Sequence, residues 1–174
     1  DVLDDASEGA LAVALSEPVD ALYCANMLHI SPWATCAALM RLAARHLAPQ
    51  GQLVLYGPFL EHDVPTSPGN LAFDADLRAS NPAWGLRRRE DVAHEAAQAG
   101  LVALPDNPEL LDRLGRAQLL GGEAMQAVTT FNKLAAAAPR SALPQLRLAD
   151  AQMAARNPGA AAAAGGGGEE GGGG

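Results

Sequence analysis

The sequence predicts an α/β domain that is followed by an all-α helical hairpin and a disordered, glycine-rich tail. Two continuous apolar runs, at residues 22–24 and 53–56, have the length of short buried strands and flank a helical pattern. The second half of the chain changes to paired helices, and its last ten positions are glycine apart from two glutamates. These observations divide the chain into residues 1–104, residues 105–160 and residues 161–174.

The first strand, the helix and the second strand together predict a βαβ unit. Ser31 and Pro32 predict the start of the helix, with the serine as N-cap and the proline in the first turn, where a missing N–H costs nothing. One apolar stripe then follows the helix, formed by Cys36, Leu39, Met40, Ala43 and Leu47. Two apolar strands joined by a one-faced helix are typical of parallel strands that are buried between two layers.

The region after the second strand predicts loops and two helices. Residues 60–68 predict a loop, and residues 71–78 predict a short helix. A second helix is expected over residues 89–99, ended by Gly100 in a left-handed cap, and residues 102–104 form at most one strand stub. The arginine run at residues 87–89 is followed at once by two acidic residues, which favours a solvated surface turn.

The second half predicts an αα-hairpin. Asn107 and Pro108 predict the cap and first turn of one helix, and Gly121 with Gly122 predicts a tight turn. The next helix is expected over residues 123–138, with its inward face formed by Ala127, Val128, Phe131 and Leu134. A partial repeat of the first helix follows, with Leu146, Leu148, Ala149 and Met153. The terminal alanine and glycine run cannot bury enough surface to offset its ordering entropy, so we expect it to be flexible.

Composition excludes several classes of function. The formal net charge of −8 argues against nucleic acid or an anionic membrane as a partner. The two cysteines, Cys24 and Cys36, lack metal-ligand spacing and are expected to be small buried hydrophobic residues, with no metal. No apolar run approaches the ~20 residues of a membrane helix. The cysteine usage predicts a reduced, cytoplasmic location. The chain opens without an initiator Met or a basic segment, so we expect no signal peptide and a longer parent protein.

Three collinear segments carry a family resemblance. They are CANMLHISPW (residues 24–33), LAPQGQLVLYGPF (residues 47–59) and NLAFDADLRASNPAWGLRRREDV (residues 70–92). Residues 1–101 resemble the C-terminal half of a class I S-adenosylmethionine-dependent methyltransferase, and within that group a methyltransferase-like family of unknown function. The resemblance implies a partial Rossmann-like sheet and S-adenosylmethionine as cofactor.

The resemblance also implies roles for residues at the ends of the strands. Asn26 and His29 would face the methyl-transfer pocket as catalytic residues. The cofactor would be bound by Asp1, Cys24, Ala25 and Asn26. The residues themselves leave alternatives open, because a histidine at a strand end is often a satisfied structural residue and an asparagine there often caps a turn. Tyr56 is expected in the core, and His46, His62 and His94 receive no functional role.

In this family the glycine-rich turn that holds the cofactor, and the acid that holds the ribose, would lie upstream of Asp1. We therefore expect a composite chain that is related to methyltransferases but has no catalysis of its own, so that its status as an enzyme is uncertain. An active enzyme completed by another chain is an alternative. A sheet with so few strands also exposes edges, through which self-association is expected.

The segment LLDRLGRAQLLGGEAMQAVTTFNKLAAAAP (residues 110–139) resembles a tetratricopeptide repeat (TPR). Its match to the period of about 34 residues rests on large, small and helix-ending residues. These are Leu111, Leu114, Gly115, Ala127, Phe131 and Pro139. Gln118 and Leu134 depart from the usual residues. One and a half repeats over residues 106–160 imply a protein–protein interaction module, with a peptide or protein partner in a groove near Gln118 and Asn132.

Overall fold

The computed structural model describes residues 17–156, so Asp1, the alanine run and the glycine tail lie outside the described residues. The chain forms two compact units, Asp1–Pro105 and Asp106–Gly174. It is mixed α/β and mostly helical, with six α-helices and two small parallel sheets in the described residues. Each unit is described below by itself.

The first unit contains all four strands of the described residues. In chain order its elements are β1 (Val19–Ala25), a 3-10 helix (Leu28–Ile30), α1 (Trp33–His46), β2 (Leu47–Tyr56), β3 (Phe59–Leu60), α2 (Pro68–Ser80), β4 (Arg87–Arg88) and α3 (Arg89–Ala103). β1 pairs with β2 and β3 with β4, both in parallel. The parallel β1–α1–β2 arrangement agrees with the prediction from the apolar runs.

The β1–β2 sheet has one covered face and one exposed face. Leu22 pairs with Leu53 and Cys24 with Leu55. Three of these four side chains join a core cluster with α1 and α3, whose most buried members are Leu28, Cys36, Leu39, Met40 and Val92. The residues between them point the other way, because side chains alternate along a strand.

The exposed face corrects two predictions. Tyr23 is 68% exposed, Val54 43% and Tyr56 64%. The strands are therefore not buried on both faces among the described residues, and Tyr56 is not a core residue. Both strands carry apolar residues on both faces of the sheet, but α1 and α3 pack on only one of these faces.

The ends of the first-unit helices also differ from the predictions. Ser31 is not the N-cap of α1: Pro32 takes that position, and the buried Ser31 hydroxyl has no hydrogen-bond partner. Leu47 begins β2 and does not extend the stripe of α1. Helix α3 continues through Gly100 to Ala103, so residues 102 and 103 are helical and do not form a strand stub.

Helix α2 is longer than predicted, because it begins where Ser67 acts as N-cap. The Ser67 hydroxyl accepts a hydrogen bond from the Asn70 N–H at 3.3 Å, and Pro68 occupies the first turn. The segment predicted as a loop, residues 60–68, contains the last residue of β3 and an antiparallel bridge between Glu61 and Val64.

Up to residue 156, where the described part of the chain ends, the second unit consists of three packed helices, α4 (Pro108–Leu120), α5 (Ala124–Ala137) and α6 (Leu143–Arg156). The predicted cap is present, since the Asn107 side chain accepts from the Leu110 N–H at 3.0 Å. The turn at Gly121 and Gly122 is also present, with a φ of 79° at the second glycine. The core of this unit is formed by Leu111, Leu114, Ala117, Ala127, Phe131, Leu134 and Ala151.

Helix α6 turns a different face inward than the repeat pattern predicts. Its buried residues are Pro144 and Ala151, whereas Leu146 and Met153 are 65% and 64% exposed.

Candidate functional site

The candidate site lies where the parallel strands β1 and β2 end. Asn26 follows β1 with a φ of 55°, a left-handed conformation that asparagine tolerates better than most residues. Its N–H donates to the Tyr56 carbonyl at 2.8 Å, which ties the two strand ends together. Open α/β sheets bind their ligands at this carboxyl edge.

Asn26 and His29 meet over Gly57, the residue that follows β2. A Cβ added to Gly57 would lie 3.5 Å from Asn26 Oδ1 and 3.6 Å from His29 Nδ1. The two side chains that the sequence assigns to the site therefore both border Gly57.

His29 is almost fully buried, at 7% exposure, in the 3-10 helix after β1. Its ring packs edge-on against Phe73 of α2, with centroids 5.5 Å apart. Within the described residues neither ring nitrogen has a hydrogen-bond partner. Burial, with a further contribution from the Arg87 charge, lowers the pKa of His29 below its ordinary value, so that the neutral imidazole is favoured at pH 7.

Arg87 holds the segment that carries His29. Its Nε donates to the Leu28 carbonyl at 3.0 Å, and its Nη2 donates to the Ser31 carbonyl at 2.6 Å and the Ala83 carbonyl at 2.8 Å. The guanidinium also lies 5.7 Å from the centre of the Trp33 ring. The prediction of a solvated turn at residues 87–89 is wrong for this half-buried arginine, although Arg88 and Arg89 are exposed.

Asp74 of α2 fixes the segment that leads to Arg87. Its carboxylate accepts from the Leu86 N–H at 2.6 Å and from Arg78 Nε at 2.8 Å. Burial by itself would raise the pKa of Asp74, but these hydrogen bonds outweigh it and lower the pKa. A glycine is required at position 85, beside the Asp74–Arg78 ion pair. Its φ is 142°, and an added Cβ would lie 2.7 Å from the Arg78 guanidinium.

His29, Gly57 and Arg87 line a small cleft at the strand ends, whereas Asn26 is not one of its walls. Its walls are Cys24, Met27, Leu28, His29, Leu55, Tyr56, Gly57, Pro58, Phe59 and Arg87. Its volume of about 10 Å³ has room for one water molecule. Burial raises the pKa of Cys24, and it raises that of Cys36 to about 12, so that neither thiol is an activated nucleophile.

The remaining predicted site residues have mixed outcomes. Cys24 lines the cleft beside His29. Ala25 is exposed, pairs with Tyr56 and is not a wall of the cleft. Asp1 lies outside the described residues.

Sequence reasoning missed Arg87, Phe73 and Asp74. Arg87 reaches the Leu28 and Ser31 carbonyls across 59 and 56 positions of sequence, a contact that no local pattern indicates. Residues 87–89 are all arginine, so nothing in the run itself separates the half-buried Arg87 from its two exposed neighbours.

Two negative findings apply to residues 17–156. No group of three or more His, Cys, Asp or Glu side chains there is arranged to hold a metal ion. None of the helices in that range has the length and apolar character needed to cross a bilayer.

The fold and the site thus define a mixed α/β protein with a small cleft at the end of a parallel strand pair. Residues 1–108 match the family described as "Protein of unknown function (DUF938)". This match spans more than half of the 174 residues, and the chain belongs to that family. No solved structure matches the chain.

Proposed function

We propose that the first unit is part of a methyltransferase-like α/β domain, related to the class I S-adenosylmethionine-dependent enzymes. The single observation that supports this most is that Asn26 and His29 both lie beside Gly57, at the carboxyl ends of two parallel strands. The Rossmann-like character of the sheet is part of the proposal. In it, Asn26 and His29 form one wall of a methyl-transfer pocket.

The described residues do not by themselves fit S-adenosylmethionine. A cleft with room for one water molecule is far too small for a nucleoside, and ligand pockets are typically hundreds of cubic ångströms. The proposed function of this chain is therefore a partial methyltransferase-like site without catalysis of its own. A further chain that supplies the cofactor cradle would complete the pocket.

Thermal unfolding with S-adenosylmethionine tests this proposal. A ligand at 100 times its Kd stabilises the folded state by about 2.7 kcal/mol, which is easily detected. We expect no rise in the melting temperature of the 174-residue chain at millimolar cofactor. A saturable rise in the melting temperature would contradict the proposal, because this chain would then bind the cofactor without a partner.

A second candidate function, protein binding by the second unit, is favoured by the contact between Gly115 and Phe131. An added Cβ on Gly115 would lie 2.6 Å from Phe131 Cζ, so the Phe131 ring of one helix packs directly on the glycine of the other. This closeness supports a TPR-like hairpin. Gln118 cannot contact a partner there, because it is buried and accepts a hydrogen bond from the Thr130 hydroxyl at 2.7 Å. Asn132 is exposed and remains a candidate groove residue.

Affinity capture with matched variants tests this second candidate. Proteins bound by the wild type, lost on Asn132→Ala and retained on the exposed control Arg140→Ala would support a groove. Equal capture by all three proteins would count against it.

A further inference from the structure

A three-residue strap, residues 85–87, crosses the turn that carries His29. The N–H of its first residue, Gly85, donates a hydrogen bond to the His29 carbonyl at 2.9 Å. The guanidinium of its last residue donates to the carbonyls on either side, those of Leu28 and Ser31. The strap therefore fixes the main chain from which the imidazole projects.

The carboxylate of Asp74 in α2 holds this strap in place. It accepts a hydrogen bond from the N–H of Leu86, the middle residue of the strap, at 2.6 Å. Gly85 also lies against it, because a Cβ added there would be 2.9 Å from Asp74 Oδ1. Hydrogen bonds to an ionised acceptor are stronger than those between neutral groups. Helix α2 is therefore bound to the strap by a charge-assisted hydrogen bond.

The preceding residue of α2, Phe73, contacts the imidazole of His29 directly. The two ring planes stand at 70° to each other, in the edge-to-face arrangement that aromatic rings favour. Phe73 is 39% exposed, so this contact lies near the protein surface. The structure describes all 13 residues of α2 and buries only Leu77 among them. The contacts of Phe73 and Asp74 are thus prominent among those that attach the helix to the candidate site.

We propose that Phe73 and Asp74 are positioning residues for His29. Phe73 fixes the orientation of the imidazole by direct contact, and Asp74 fixes the turn that carries it by way of the strap. This inference rests on the proposed function, in which His29 is part of a methyl-transfer pocket. Its importance there follows from the geometry of group transfer, because a displacement of about 1 Å in a reacting site can cost about a hundredfold in rate.

Modification of the full 174-residue chain by diethyl pyrocarbonate, at about pH 7.5 where histidine is neutral, tests the proposal. Mass spectrometry gives the rate at His29, with His94 of α3 as an internal reference, and amide hydrogen exchange at Gly85 reports opening of the strap. For Asp74→Ala we expect both rates to rise at least about tenfold, because a hydrogen bond to a charged group is lost. The measurement involves no cofactor, so its failure is distinct from failure of the proposed function.

Two further variants separate positioning from a merely structural role of Asp74 within α2. Arg78→Ala removes the ion pair inside the helix but leaves the hydrogen bond to Leu86, so both rates should stay near those of the wild type. Asp74→Asn keeps an acceptor oxygen for the Leu86 N–H and should restore most of the protection lost in Asp74→Ala. Equal rates for Asp74→Ala and Arg78→Ala would overturn the role of Asp74.

A second pair of variants tests the ring contact, and it decides the proposal if Asp74→Ala does not fold. Phe73→Ala should raise the modification rate of His29 about two- to tenfold, the equivalent of an aromatic pair. Leu71→Ala, at another exposed apolar residue of α2, should leave the rate unchanged. Equal rates for these two variants would overturn the proposal. So would a parallel rise in exchange at the Asn26 amide, because that amide is bonded within the sheet and would report general loosening.

Discussion

Gly115 of α4 is the position where a single methyl group should have the clearest effect. Gly115 is buried, and the ring of Phe131 from α5 fills the space that a Cβ would occupy. The added atom would lie 2.6 Å from Cζ and 2.8 Å from Cδ1, well inside contact distance. Phe131 itself is 0% exposed and Leu111 is 2% exposed, so the ring has little room to move away.

The expected size of the effect follows from two opposing terms. Overpacking a core typically costs about 1–3 kcal/mol. Replacing a glycine by alanine inside a helix contributes about 1 kcal/mol in the opposite direction. Because Phe131 and Leu111 are both buried, the overpacking cost should lie near the upper end of its range. After the opposing helix term is subtracted, we expect Gly115→Ala to lower the free energy of unfolding by about 1–2 kcal/mol.

Urea unfolding followed by circular dichroism at 222 nm measures this change. The matched control is Gly69→Ala in α2, where an added Cβ meets nothing within 4 Å. That substitution is expected to leave stability unchanged or to raise it by up to about 1 kcal/mol. If Gly115→Ala behaves like Gly69→Ala, the argument from the Phe131 contact is refuted.

Three further predictions concern other parts of the chain. The unfolded chain takes up a proton near the ordinary histidine pKa of about 6.5, whereas folded His29 does so only at lower pH, so stability should fall as pH drops through that window. His29→Gln should flatten this slope in unfolding free energies measured from about pH 7.5 to about pH 5, which lie on either side of that pKa, and an unchanged slope would contradict the prediction. Gln118→Ala leaves the buried Thr130 hydroxyl without its acceptor and should cost about 1–3 kcal/mol, whereas Gln118→Ala in a Thr130→Val background should cost less. The exposed apolar face of the β1–β2 sheet should promote self-association, so Tyr56→Lys should reduce the concentration dependence of sedimentation, and a wild-type monomer at all concentrations would disprove this.

Local sequence patterns predicted the elements whose partners are close in the chain. Asn107 and Pro108 act within one helical turn, so the start of α4 was correct. The runs that became β1 and β2 are apolar enough to identify strands without any tertiary information.

The errors arose where tertiary contacts decide the outcome. Ser31 resembles an N-cap, but its hydroxyl is buried and Pro32 precedes the first helical residue. Gly100 resembles a helix end, but α3 packs against the core and continues past it. The burial of Tyr56 depends on what covers the second face of the sheet, which the residues of the strand do not determine.

The candidate site was predictable only in part. Asn26 and His29 follow one strand directly, and the parallel arrangement places them at the ligand-binding edge. Arg87, by contrast, enters the site through contacts that span more than fifty positions of sequence. Its role depends on the path of the chain between α2 and β4, and no spacing rule provides that path.

We propose that Asn26 and His29 form one wall of a methyltransferase-like pocket and that this chain binds no S-adenosylmethionine by itself. Equilibrium dialysis of radiolabelled S-adenosylmethionine tests it most directly, with the 174-residue chain alone and with the chain co-purified with the N-terminal half of another member of its family. We expect no binding by the chain alone, binding by the pair, and loss of that binding on Asn26→Ala. A stable pair that binds no cofactor, or that binds equally well with Asn26→Ala, would contradict the claim.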